Sequence, residues 1–65
     1  MINARIKELR KEMNLSQAQL GKEINLSPRT ISDYESGRIE PNIATIKKLC
    51  DFFDVKAGYL LGFED

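Results

Sequence analysis

Histidine and tryptophan are absent from this 65-residue chain, and cysteine occurs once. With no histidine and a single thiol, the sequence offers no metal site. Cys50 has no partner for an internal disulfide, which suits a reducing cytosol and a cytoplasmic protein. No apolar run approaches the roughly 20 residues that span a bilayer, and no secretory leader is evident, so no membrane partner is expected. Net charge is missing too: ten Lys/Arg offset ten Asp/Glu, which argues mildly against a nucleic-acid partner. A chain this short buries only about 60% of its unfolded surface, leaving little room for an enclosed catalytic cavity. One domain over residues 1–65 is expected, with no cofactor and no small-molecule ligand in view. The charge is less even than its sum. Residues 1–38 carry seven Lys/Arg against five Asp/Glu, and residues 39–65 carry three against five.

What the chain does have is punctuation. Asn-Leu-Ser stands at 14–16 and again at 25–27. In each copy the Asn tolerates the left-handed conformation that closes a helix, and the Ser accepts a bond from an orphan amide of the next one. Ser16-Gln17-Ala18-Gln19 reads as a capping box, and Leu15 with Leu20 as a hydrophobic staple. Leu26 and Ile31 repeat that relation around Ser27, while Pro28 occupies the first helical position, where its missing N–H costs nothing. The reading is a helix over 17–24, a turn at 25–27 and a second helix over 28–35.

Ile2, Ile6, Leu9 and Met13 fall at helical spacing and predict an amphipathic first helix ending near Asn14. Ser36 to Pro41 reads as a loop. Asn42 caps a fourth helix with an inward stripe of Ile46, Leu49, Cys50 and Phe53, and Ala57 to Leu61 forms a short fifth segment closed by Gly62. No stretch alternates as a strand. Two eight-residue helices are too short to persist alone, since isolated helices below about 12 residues are marginal in water. A tight connection forces them to cross steeply, at roughly 90–120°, as in a helix-turn-helix. Gly21 fits a place where the two helix backbones approach closely. The fold class is therefore all-α with five helices.

An ordered set of residues then carries a family likeness: Leu9-Arg10, Leu15-Ser16-Gln17, Leu20, Ser27, Ile31, Tyr34-Glu35-Ser36-Gly37-Arg38, Pro41, Leu49 and Leu60-Leu61-Gly62. From Ile6 to Gly62 the chain resembles the helix-turn-helix domain of the lambdoid phage repressor and Cro family, also called the XRE family. The resemblance implies a compact lambda-repressor-like fold and a sequence-specific regulator of transcription, a repressor, binding double-stranded DNA. Many relatives have Ala in place of Gly21 and Gly in place of Asn25, replacements expected to meet the same demands. Pro28 and Asp33 stand where relatives often offer two amides, so base preference does not carry over.

With Ile31 and Tyr34 facing inward, Ser27, Pro28, Arg29, Thr30, Ser32 and Asp33 lie toward the tip and outer face of helix 28–35. The N-terminal end of such a helix meets base edges in the major groove. The resemblance marks positions 28, 29 and 33 as base-facing, with Ser27 beside them. Arg29 suits guanine, Pro28 a thymine methyl, and Asp33 either cytosine N4 or the exclusion of phosphate. Arg29 could instead be a plain solvated charge. Backbone contacts are expected from Gln17, Thr30 and Ser32, and from the second grip that Ser36, Gly37 and Arg38 resemble. The family also implies an ion pair between Arg10 and Glu35, strong in its effect if buried and weak if exposed.

Rival readings are few. The acid pairs Asp33/Glu35 and Asp51/Asp54 lack a partner base, and Gly21-Lys22-Glu23 lacks the glycine loop of a phosphate-binding motif. A helix-turn-helix scaffold used as a protein-protein interaction module is the serious alternative, and zero net charge suits it. A homodimer on a palindromic operator is expected, with Tyr59, Leu60, Leu61 and Phe63 as the possible dimer surface. Those four could equally serve only to close the core.

Overall fold

The computed structural model describes residues 1–64; Asp65, the end of the expected domain, lies outside them. Its helices are α1 (Ile2–Glu12), α2 (Gln17–Ile24), α3 (Pro28–Ser36), α4 (Ile43–Phe53) and α5 (Ala57–Leu61). No strand occurs among the described residues.

The helix ends are set by local chemistry. Ser16 Oγ accepts from the Gln19 amide at 3.0 Å while Gln19 Oε1 accepts from the Ser16 amide at 2.7 Å, a complete capping box. Ser27 Oγ accepts from the Thr30 amide at 3.2 Å, and Asn42 Oδ1 from the Thr45 amide at 2.9 Å. These caps satisfy donors that the first helical turn cannot. Asn14 and Asn25 have φ of 57° and 63°, the left-handed geometry that reverses the chain between helices. Gly37, at φ 78°, ends α3 one residue later than expected, so Ser36 belongs to the helix rather than to the loop.

The helices pack α2 on α3 and α4, α1 on α3 and α5, and α4 on α5. Eight residues, drawn from every helix, form the core: Ile6, Leu9, Leu20, Ile24, Ile31, Tyr34, Leu49 and Leu60. Fully burying a residue such as Ile31 contributes about 1.5–3 kcal/mol relative to exposure, which is what holds helices this short in place. Ile46, Cys50 and Phe53 pack partly buried against this core, as their stripe on α4 implies. Arg5 lies over the Tyr59 ring at 4.1 Å and links α1 to α5.

Two expectations are corrected. Met13 does not join the core: it caps α1, is largely exposed, and its place in the first-helix stripe passes to the buried Arg10. Gly21 is indeed crowded, but by the turn rather than by the second helix. A methyl at Gly21 would collide with the Leu26 carbonyl oxygen, because the turn folds back to let the Leu26 amide donate to Gly21 O at 2.7 Å. The alanine common in relatives is therefore not equivalent here. Gly21→Ala should cost about 1–3 kcal/mol by forcing the turn outward, measured as a lower urea midpoint at unchanged m-value.

Candidate nucleic-acid interface

The capping of α3 decides what its N-terminal end presents. Ser27 Oγ is occupied by the Thr30 amide and lies 3.0 Å from Thr30 Oγ1, so the two hydroxyls hold each other. Pro28 and Arg29 follow and are exposed, whereas Ile31 and Tyr34 are buried. Ser32 and Asp33 are half-buried on the flank. The result is a helix end with Ser27, Pro28 and Arg29 outermost.

The loop after α3 adds a second group. Gly37 turns the chain, and the Asp33 carbonyl accepts from the amides of Arg38 at 3.0 Å and Ile39 at 3.3 Å. Ser36 Oγ donates to the same carbonyl at 3.2 Å. Ser36, Gly37 and Arg38 are all exposed. A β-branched residue at position 37 would be strained by about 1–3 kcal/mol in that left-handed geometry.

Behind this surface sits a buried ion pair. Arg10 Nε donates to Glu35 Oε2 at 2.6 Å and Arg10 Nη2 to Glu35 Oε1 at 3.0 Å, while Nη1 donates to the Leu15 carbonyl at 2.8 Å. Side-chain exposures of 11% and 4% place the pair in the interior. One guanidinium thus ties α1 to α3 and to the loop entering α2, a geometry that a lysine does not reproduce. Burial pushes the Glu35 carboxyl up, but hydrogen bonds from Arg10 and Gln17, with the charges of Arg10 and Lys7, outweigh it and hold Glu35 below its ordinary value. The Arg10 guanidinium is raised, chiefly by its hydrogen bond to Glu35 and against its own desolvation.

Gln17 has a role that the sequence did not signal. Its Nε2 donates to Glu35 Oε1 at 3.2 Å, so the first residue of α2 is anchored to the last turn of α3. The two positions lie 18 residues apart, and no local pattern links them. One N–H of that amide and the orphan backbone amide of the helix terminus remain for an anion.

The C-terminal cluster divides. Leu60 is completely buried and belongs to the core, so it is removed from the possible dimer surface. Helix α5 turns it inward against the other helices. Tyr59 and Leu61 are half-buried, and Phe63 is 82% exposed.

Among the described residues, five helices without a strand, two of them capped and joined by a three-residue turn, define the class of all-α helix-turn-helix domains. The chain belongs to the helix-turn-helix family, whose model matches residues 6–60. It is 36% identical over 63 residues to the transcriptional activator BcrR of Enterococcus faecalis, covering 97% of this chain and 31% of that protein. The immunity repressor of Bacillus phage phi105 is 32% identical over 63 residues, covering 97% of this chain and 44% of the relative. The chain thus spans less than half the length of these two relatives. Among solved structures, the P22 c2 repressor in complex with a synthetic operator superposes with a TM-score of 0.91 at 31% identity, covering 98% of this chain and 97% of that one. The fold is accordingly lambda-repressor-like. Among the described residues no helix is long and apolar enough to cross a membrane.

Proposed function

We propose that this chain is the DNA-binding domain of a transcriptional regulator, with α3 lying in the major groove of double-stranded DNA. The observation that carries the reading is the exposed N-terminal end of α3, held by a completed cap on a scaffold that superposes on a repressor solved with its operator. A helix of about 10–12 Å diameter fits that groove, and its first residues reach the base edges. Ser27, Pro28, Arg29 and Asp33 are the residues assigned to base recognition. Gln17, Thr30, Ser32, Ser36, Gly37 and Arg38 are assigned to the sugar-phosphate backbone on either side. Arg10 and Glu35 hold the scaffold behind them and touch no base.

Repression is the favoured output, since a domain that occupies DNA over a promoter excludes polymerase. The relatives include an activator as well as a repressor, so the DNA-binding domain alone does not fix the sign. Selection of bound duplexes from a random pool, followed by a salt titration, tests the reading. A defined site and an affinity that falls steeply with salt are expected; a protein partner with no DNA response would favour the interaction-module alternative. The setting is cytoplasmic, where operator DNA and a reduced Cys50 coexist.

Binding as a homodimer to a palindromic operator follows from the few phosphate contacts one domain makes and from the two-fold logic of such sites. Phe63, with Tyr59 and Leu61 beside it in the chain, is the assigned contact. Phe63→Glu should shift sedimentation toward monomer while leaving circular dichroism unchanged, because the side chain is already in solvent. An unchanged monomer–dimer equilibrium would eliminate this surface.

A further inference from the structure

The flank of α3 carries an acid in reach of two arginines. Asp33 Oδ1 lies 3.4 Å from Arg29 Nε and 3.9 Å from Arg38 Nε. The arginines are 75% and 66% exposed, whereas the Asp33 side chain is only 18% exposed. Residues 29 and 33 share a helix face by their spacing of four. Arg38 is brought to the same carboxylate by the turn at Gly37, through the bonds that its amide and that of Ile39 make to the Asp33 carbonyl. The acid is therefore anchored at its backbone, and both cations approach the same carboxylate oxygen. In both contacts the arginine uses Nε, so each guanidinium keeps its Nη groups for another acceptor.

We propose that Asp33 sets specificity through Arg29, beyond any contact of its own with a base: its carboxylate restrains Arg29 and makes that residue's contact with DNA conditional on the correct site. This rests on the reading of α3 as the groove helix. An unrestrained arginine reaches any nearby phosphate, and such contacts are blind to sequence. To swing onto a phosphate, Arg29 must leave Asp33, and the carboxylate is left facing a polyanion. To meet a guanine, Arg29 presents its Nη donors while Nε stays with Asp33. The acid thus opposes sequence-blind binding more than it opposes the correct contact. The distances are long for hydrogen bonds, so the restraint is exchangeable rather than a lock.

Asp33→Asn and Asp33→Ala, the second of which brings no new donor, test this beside wild type on a selected duplex and a scrambled one at several salt concentrations. Affinity for scrambled DNA should rise about two- to fivefold, the scale of one exposed ion pair. The ratio of selected to scrambled affinity should fall at least about threefold, and the salt dependence on scrambled DNA should steepen. With Arg29→Ala already in place, adding Asp33→Ala should change that ratio by less than about twofold, because the two residues act as one unit. If both single variants keep the wild-type ratio, or if the loss persists without Arg29, the inference is overturned while the groove-helix reading stands. Wild type that fails to prefer any duplex overturns both.

Discussion

Arg10→Met should destabilise the domain by about 3–5 kcal/mol, a large share of the 5–15 kcal/mol that typically separates folded from unfolded chains. The reason is what remains behind. Glu35 is 4% exposed and would keep its charge in the interior with only Gln17 to donate to it, while the Leu15 carbonyl would be left without the Nη1 donor. Were the pair on the surface, the same change would cost under about 1 kcal/mol, so urea titration separates the cases. The sign with pH gives a second check. In the wild type the carboxyl of Glu35 is held below its ordinary value, so its contribution is complete above about 4.5 and is lost as pH falls through the lower, folded value. In Arg10→Met the hydrogen bonds and charge of Arg10 are gone and only Gln17 and Lys7 oppose the burial, so the Glu35 carboxyl moves up. Less stability is then lost as pH falls. The gap between the two proteins should therefore narrow from pH 7 toward pH 4. A constant gap would show that Glu35 does not sense Arg10. Arg10→Lys should recover only part of the loss, since an ammonium cannot make both bonds to Glu35 and reach Leu15.

Arg29→Ala should relax preference at one base pair of each half-site, costing about 1–3 kcal/mol there if the contact to guanine is bidentate. Its effect on scrambled DNA should be small. Arg38→Ala should weaken every sequence alike and reduce the salt slope by roughly one unit, because one phosphate is no longer neutralised. A purely electrostatic account expects the two variants to match, because both remove an exposed cation that leans on Asp33. The groove-helix account requires them to differ, because one residue stands at the first turn of α3 and the other beyond its Gly37 terminus. Titration of both variants against selected and scrambled duplexes, at several salt concentrations, decides between them. Equal losses on both DNAs would remove Arg29 as a base reader.

Helix boundaries were legible because the groups that set them lie within four residues of one another. Ser16 with Gln19, Ser27 with Thr30 and Asn42 with Thr45 are such pairs, and each closes a cap expected at that Ser or Asn. The inward faces of α3 and α4 followed from periodicity for the same reason: Ile31, Tyr34 and Leu49 lie where a 3.6-residue repeat puts them. The first-helix stripe breaks at Met13, because periodicity says which face a residue shares but not whether a neighbouring helix extends far enough to cover it.

Contacts between distant parts of the chain were of another kind. Nothing in the spacing of Tyr59 to Phe63 says that Leu60 turns wholly inward while Phe63 stays in solvent; the way α5 packs on α1 and α4 does. The bond from Gln17 to Glu35, and the reach of one Arg10 guanidinium to Glu35 and the Leu15 carbonyl together, likewise appear only once the helices are in place. A sequence displays its local bonds directly, because the chain itself holds the partners together. Partners 18 or 25 residues apart, such as Gln17 or Arg10 with Glu35, meet only when burial of a shared core has fixed the helices against one another.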